Sequence, residues 1–142
     1  MTAQEAWPAV VAGEDAAGFA YSVAGARVPT ADLRAARAGL DAHRANRDRA
    51  ASLAAQAGGT LPTPAAAYEL PFPVGSPGRA RELLALVDNR LVALYAEAAE
   101  AASGPDRRWA ARRAAECATR AVSWGAAPQA FPTGDVAGDP AG

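Results

Sequence analysis

A chain of 142 residues with 14 basic and 15 acidic side chains carries a formal charge of −1, which argues against the basic stripe of a nucleic-acid-binding surface. Its single cysteine, Cys117, excludes an intramolecular disulfide and a cysteine-based metal site. No apolar run approaches the roughly 18 residues that cross a bilayer.

The chain is 51% hydrophobic, but alanine supplies most of that fraction. Alanine is the strongest helix former, so the composition points to one all-α domain. It also buries little area per side chain, so the helices must approach closely to form a core. All the basic residues are arginine, a bias that reads as GC-rich coding rather than mechanism. The N-terminal MTAQEAWPAVVAGEDA has two acids and no basic start, so no signal peptide is predicted and a cytoplasmic location is expected.

The first helical pattern spans about Ala3 to Val28. Trp7, Val10, Val11, Glu14, Ala17, Gly18, Tyr21, Ala24 and Val28 share one face. Pro8 suggests a regular start near that residue, and Pro29 a stop. The second helix is predicted from an N-cap at Thr30 to about Ala57, before Gly58-Gly59. Its inner stripe is Leu33, Ala36, Leu40, His43, Arg47, Ala50 and Leu53 or Ala54. The third begins at Ser76-Pro77 and runs to about Ala102, with Leu84, Val87, Asp88, Leu91, Tyr95, Ala98 and Ala102 inward. The fourth runs from Asp106 to Gly125, with Ala110, Ala114, Cys117, Ala121 and Trp124 inward. Residues 1–125 thus form the predicted bundle. A Pro/Gly-rich tail over 126–142 is expected to be disordered at its end, with Phe131 a candidate to dock on the bundle.

Links of a residue or two between helices one and two, and between three and four, force antiparallel neighbours. The 58–75 link is different. It can reach about 59 Å when extended, whereas a 25-residue helix is about 38 Å long. Leu61, Tyr68, Leu70, Phe72 and Val74, stiffened by prolines, predict a connector packed along the flank. It would return the chain to the end where helix two began. Two antiparallel hairpins joined by one long crossover is ferritin-like connectivity.

EDAAGFAYSVAGARV, LDAHRANRDRAASLAAQ, AYELPFPV and RAVSWGAAPQAFP resemble an uncharacterised ferritin-like domain family common in actinobacteria. DAHRANRD followed by YELPFPV is the most specific part, and the likeness extends from about Ala6 to Pro132. It implies a four-helix bundle with a long crossover and assigns no activity.

Iron-binding ferritin-like proteins take one Glu from each of two helices and Glu-x-x-His from each of the other two. Glu14, His43 and Asp88 occupy inward positions suited to iron or another divalent metal. However, Leu40 precedes His43 by three residues, Glu116 is followed at that spacing by Thr119, and there is one histidine. Arg113 and Arg120 near the seam oppose a cation. The competing reading is a buried polar network of Glu14, His43, Asp88 and Arg120, or Arg113 in its place. If Glu14 sits beside Asp88, His43 is drawn towards its protonated form. Helices one and three share a further pattern, an acid with a tyrosine seven residues later: Glu14/Tyr21 and Asp88/Tyr95.

Cys117 reads as a small buried hydrophobe, and Tyr21 and Tyr95 as core aromatics or pocket walls. Trp7 and Trp124 read as packing anchors, and Trp109 as a helix-to-helix or dimer contact. Arg107, Arg108, Arg112 and Arg113 read as a solvated face balanced by Asp106 and Glu116. No P-loop, dinucleotide fingerprint or nucleophile elbow is present. The leading functional expectation is a non-enzymatic structural or interaction module, a homodimer through a helical face, with a degenerate di-metal site and no cofactor. The rivals are a metal-binding or oxidoreductase protein using Glu14, His43 and Asp88, and a small-molecule binder between the helices.

Overall fold

In the computed structural model, residues 1–128 are described. They form α1 (Ala3–Ala24), α2 (Leu33–Gln56), α3 (Pro77–Ala101) and α4 (Gly104–Ser123), with a 3-10 turn at Thr30–Asp32 before α2. No strand occurs among the described residues. The protein is an all-α four-helix bundle. Phe131 and the rest of 129–142 lie outside the described residues.

Helix boundaries follow local chemistry. α1 starts at Ala3, ahead of the expected Pro8, because Glu5 reaches back to the Thr2 backbone N–H at 2.9 Å and satisfies an otherwise free donor. Pro8 is carried inside the helix. α1 ends at Ala24 rather than Val28. A residue preceding proline is disfavoured in the helical region, so the chain unwinds before Val28-Pro29, and Val28 turns inward to 5% exposure. Thr30 opens the 3-10 turn without a side-chain cap bond, so the expected cap is absent and α2 proper begins at Leu33. Ser76 does cap α3, accepting from the Arg79 N–H at 3.2 Å, with Pro77 in the first turn. α4 begins at Gly104 rather than Asp106, since Pro105 fits a first turn.

Cross-helix contacts fix the directions. Gln4 donates to the Gly58 carbonyl, and Glu14 meets His43, so α1 and α2 are antiparallel. Arg27 donates to the Val74 carbonyl, Tyr21 meets Asp88 and Tyr95 meets Glu14, so α1 and α3 are antiparallel as well. α2 and α3 therefore run the same way, and Asp32 beside α2's start pairs with Arg81 near α3's start. Arg120 approaches Asp88, and Trp109 packs against Tyr95, placing α4 antiparallel to α3.

The connector over residues 57–76 travels the length of α1. Gly59 lies against Gln4 and Pro8, Tyr68 packs at a tilt on Phe19 with ring centroids 5.4 Å apart, and Val74 reaches Arg27. Its packing is less complete than the sequence predicts. Val74 is buried and Tyr68, Leu70 and Phe72 are half-buried, but Leu61 is 44% exposed and residues 63–67 face solvent. Arg79 covers Phe72 instead, with its guanidinium carbon 5.0 Å from the ring centre.

α3 supplies the core's bulk through Leu83, Leu84 and Leu91, and α1 adds Val10 and Val11. α2 and α4 contribute mainly alanine, Ala36, Ala50, Ala54, Ala110 and Ala121 being buried. Small side chains on these two helices leave room for larger groups between the rods. At Gly39, a Cβ would fall 2.4 Å from the Tyr21 ring. The glycine thus seats that tyrosine.

Pro8 has no N–H to offer the Gln4 carbonyl, and a Cβ on Gly59 would sit 2.6 Å from that oxygen. Gly59→Ala should therefore lift the start of the connector off α1 and cost about 1–3 kcal/mol. Urea denaturation is the check, and an unchanged midpoint would remove the clamp.

Candidate functional site

Glu14, His43 and Asp88 meet in the middle of the bundle, none more than 1% exposed. His43, from α2, lies between a carboxylate of α1 and one of α3. Its Nδ1 is 2.7 Å from Glu14 Oε2, and its Nε2 is 3.0 Å from Asp88 Oδ1. The second contact is an ion pair rather than a straight hydrogen bond, with the ring N–H directed off the line to the oxygen.

The remaining carboxylate oxygens are also engaged. Tyr95 donates to Glu14 Oε1 at 2.6 Å, and Tyr21 donates to Asp88 Oδ2 at 2.5 Å. Arg120 reaches Asp88 Oδ1 at 3.4 Å from the partly exposed side of α4. Trp124 donates its indole N–H to the Tyr21 hydroxyl at 2.8 Å, and the Tyr21 and His43 ring centroids are 4.8 Å apart. The shared acid-then-tyrosine pattern becomes a reciprocal exchange: each tyrosine binds the acid of the other helix.

Two buried carboxylates need compensating charge. Burial alone would push His43 below its ordinary value. Its contacts with Asp88 and Glu14, and their negative charges, outweigh burial and raise it to about 9. A protonated His43 and Arg120 then balance Glu14 and Asp88. Burial also works against Arg120's charge, and neighbouring Asp88 more than offsets it, so its pKa is raised. Tyr21 is pushed up by burial and by Asp88, and Tyr95 by burial and Glu14, so both phenols keep their protons. Cys117 is fully buried, and its thiol is likewise pushed up by burial and the two carboxylates. It is not a reactive thiolate.

The donor chemistry does not fit a di-metal centre. Both His43 ring nitrogens face carboxylates, and every oxygen of Glu14 and Asp88 already has a protein partner. Among the described residues, no group of three or more His, Cys, Asp and Glu side chains is arranged to hold a metal ion.

Other sequence-selected residues fall elsewhere. Arg113 leaves the central cluster to Arg120, donates to Glu116 at 2.6 Å and lies 5.5 Å from the Trp109 ring centre. Arg47, expected on α2's inner stripe, is only half-buried because its Nε binds Asp15 of α1 at 2.9 Å. Trp109 packs within the bundle, its ring centroid 6.1 Å from Trp7 and 5.7 Å from Tyr95. It is a helix-to-helix contact. Arg107 is not simply solvated. Its Nε donates to the Ala99 and Ala102 carbonyls, closing the C-terminus of α3. Sequence reasoning missed the phenol partners and the Trp124 indole, although the seven-residue spacing on α1 and α3 held their signal.

The fold and site define a class: an all-α bundle whose centre is a charge-balanced, hydrogen-bonded cluster. The chain belongs to the family described as a domain of unknown function (DUF4439), which it matches over residues 6–136. No curated protein matches it. Among solved structures, it is similar to a conserved hypothetical protein, rv2844, from Mycobacterium tuberculosis. The two are 28% identical with a TM-score of 0.80, over 86% of this chain and 94% of that one.

The single histidine gives the cluster a pH signature. Its folded pKa of about 9 stands above the unbound value of 6.5. The stability it contributes is complete below pH 6.5 and is lost as pH rises through 9. Unfolding free energies measured in urea from pH 6 to 10 should fall by about 3 kcal/mol across that window. A flat profile would show that His43 is not held as a cation.

Proposed function

We propose that this chain is a ferritin-like bundle of the non-enzymatic kind, a structural or interaction module. In it a protonated histidine takes the central position that a metal pair holds in iron-binding relatives. The carrying observation is the commitment of both His43 nitrogens and all four oxygens of Glu14 and Asp88 to one another, to Tyr21, to Tyr95 and to Arg120. A metal ion would have to displace several of these contacts and lie close to two cations. The parallel course of α2 and α3, joined by one long connector, supports the ferritin-like assignment.

Elemental analysis of purified protein tests the reading. Iron, manganese and zinc should all be well below one equivalent per chain. Stoichiometric metal that disappears in Glu14→Ala and His43→Ala would favour the metal-binding alternative.

The interaction half of the proposal is a homodimer through a helical face. The outer surfaces of α2 and α4 carry exposed alanines, among them Ala35, Ala38, Ala45, Ala111 and Ala115, and small residues let two helices approach closely. Light scattering on the eluting peak should report twice 14.4 kDa. A monomer at high concentration would remove the dimer without affecting the argument about the core.

A further inference from the structure

Two files of aromatic rings lead into the polar centre. In one, Trp7, Trp109 and Tyr95 follow one another with ring centroids 6.1 and 5.7 Å apart. In the other, Trp124 and Tyr21 are 6.3 Å apart. These spacings are those of rings in contact, across which an electron moves readily. Of the three tryptophans, Trp109 is half-buried, whereas Trp7 and Trp124 are 2% and 4% exposed. A diffusible one-electron oxidant therefore meets the two files at Trp109.

Two features make Tyr95 the residue that finally gives up the electron. First, positive charge on Trp109 is opposed by the Arg113 guanidinium, 5.5 Å from its ring centre, and on Trp124 by Arg81 at 5.6 Å. Second, a phenol is oxidised easily only when its proton has a place to go, because its radical cation is a strong acid. A surface phenol passes that proton to water, which the fully buried Tyr95 cannot do. Its hydroxyl instead lies 2.6 Å from Glu14 Oε1, so a carboxylate acceptor is already within reach.

We propose that Tyr95 is a one-electron redox site, reached through Trp109 and served by Glu14 as its proton acceptor. The oxidant, a peroxyl or similar radical, takes one electron from Trp109, and the indole proton passes to water. Tyr95 then returns an electron to Trp109, which regains a proton from water. The Tyr95 O–H bond breaks, and its proton forms a new O–H bond on Glu14 Oε1. The products are an intact tryptophan, a neutral phenoxyl radical and a protonated Glu14. The cluster is then one unit more positive, and His43 keeps Asp88 as its remaining anion. This role needs no metal and does not rest on the structural-module reading.

Pulse radiolysis of the full chain with azide radical, a one-electron oxidant of tryptophan, tests the proposal. The tryptophanyl absorption should give way to that of a tyrosyl radical at a rate independent of protein concentration. The conversion should be slower in heavy water, because a proton moves with the electron. Tyr95→Phe should lose most of the tyrosyl yield. Tyr21→Phe, which forfeits the matching bond to Asp88, and Tyr68→Phe should keep it. A tryptophanyl signal that never converts, a rate that scales with protein concentration, or equal rates in the two waters would overturn the proposal on the unaltered chain alone. A tyrosyl yield undiminished by Tyr95→Phe would overturn it as well.

Discussion

The bundle is organised around an imidazolium between two carboxylates. Glu14 and Asp88 lie fully inside on facing helices, where an unmatched charge is costly, about 3–5 kcal/mol when its partner is removed. His43 is the one side chain inserted between them, with a nitrogen towards each. The phenols of Tyr21 and Tyr95 complete the outer oxygens. The tyrosines in turn determine their surroundings: Gly39 is small because the Tyr21 ring lies over it, and Trp124 folds back to donate to the Tyr21 hydroxyl.

That centre depends on how the chain is routed. α2 delivers His43 between α1 and α3 only because the connector carries the chain along α1 and starts α3 at the end where α2 starts. A short turn after α2 would have sent the third helix the other way, with Asp88 and Tyr95 exchanging ends relative to α1. The connector is held at both extremities, at Gln4 and Pro8 by Gly58 and Gly59, and at Arg27 by Val74. Its exposed middle is free of that demand, which is why Leu61 and residues 63–67 can face solvent.

The sequence made much of this visible. Helical spacing brought Glu14, His43 and Asp88 to inward faces, and a link too long for a turn implied the crossover. Spacing along one helix does not state how far it is staggered against another, so the exchange of partners between Tyr21 and Tyr95 stayed hidden behind a correct seven-residue pattern. Arg47 was misplaced because a stripe fixes direction only to within a residue or so, and a half-inward arginine is decided by whether an acid such as Asp15 stands opposite. α1 ends early because Pro29 acts on the residues before it as well as on its own position.

The two acid–phenol bonds cross between α1 and α3 in opposite senses, and this makes them a locating device. If either rod slid along the other by one turn, about 5.4 Å, both bonds would break at once and His43 would lose one of its two anions. The leucines of α3 and the valines of α1 resist such a slip as well, but the polar centre adds a penalty that bulk alone does not, because two buried carboxylates would lose their donors. Longitudinal alignment in this protein is therefore set by its polar centre together with the large apolar side chains of α1 and α3.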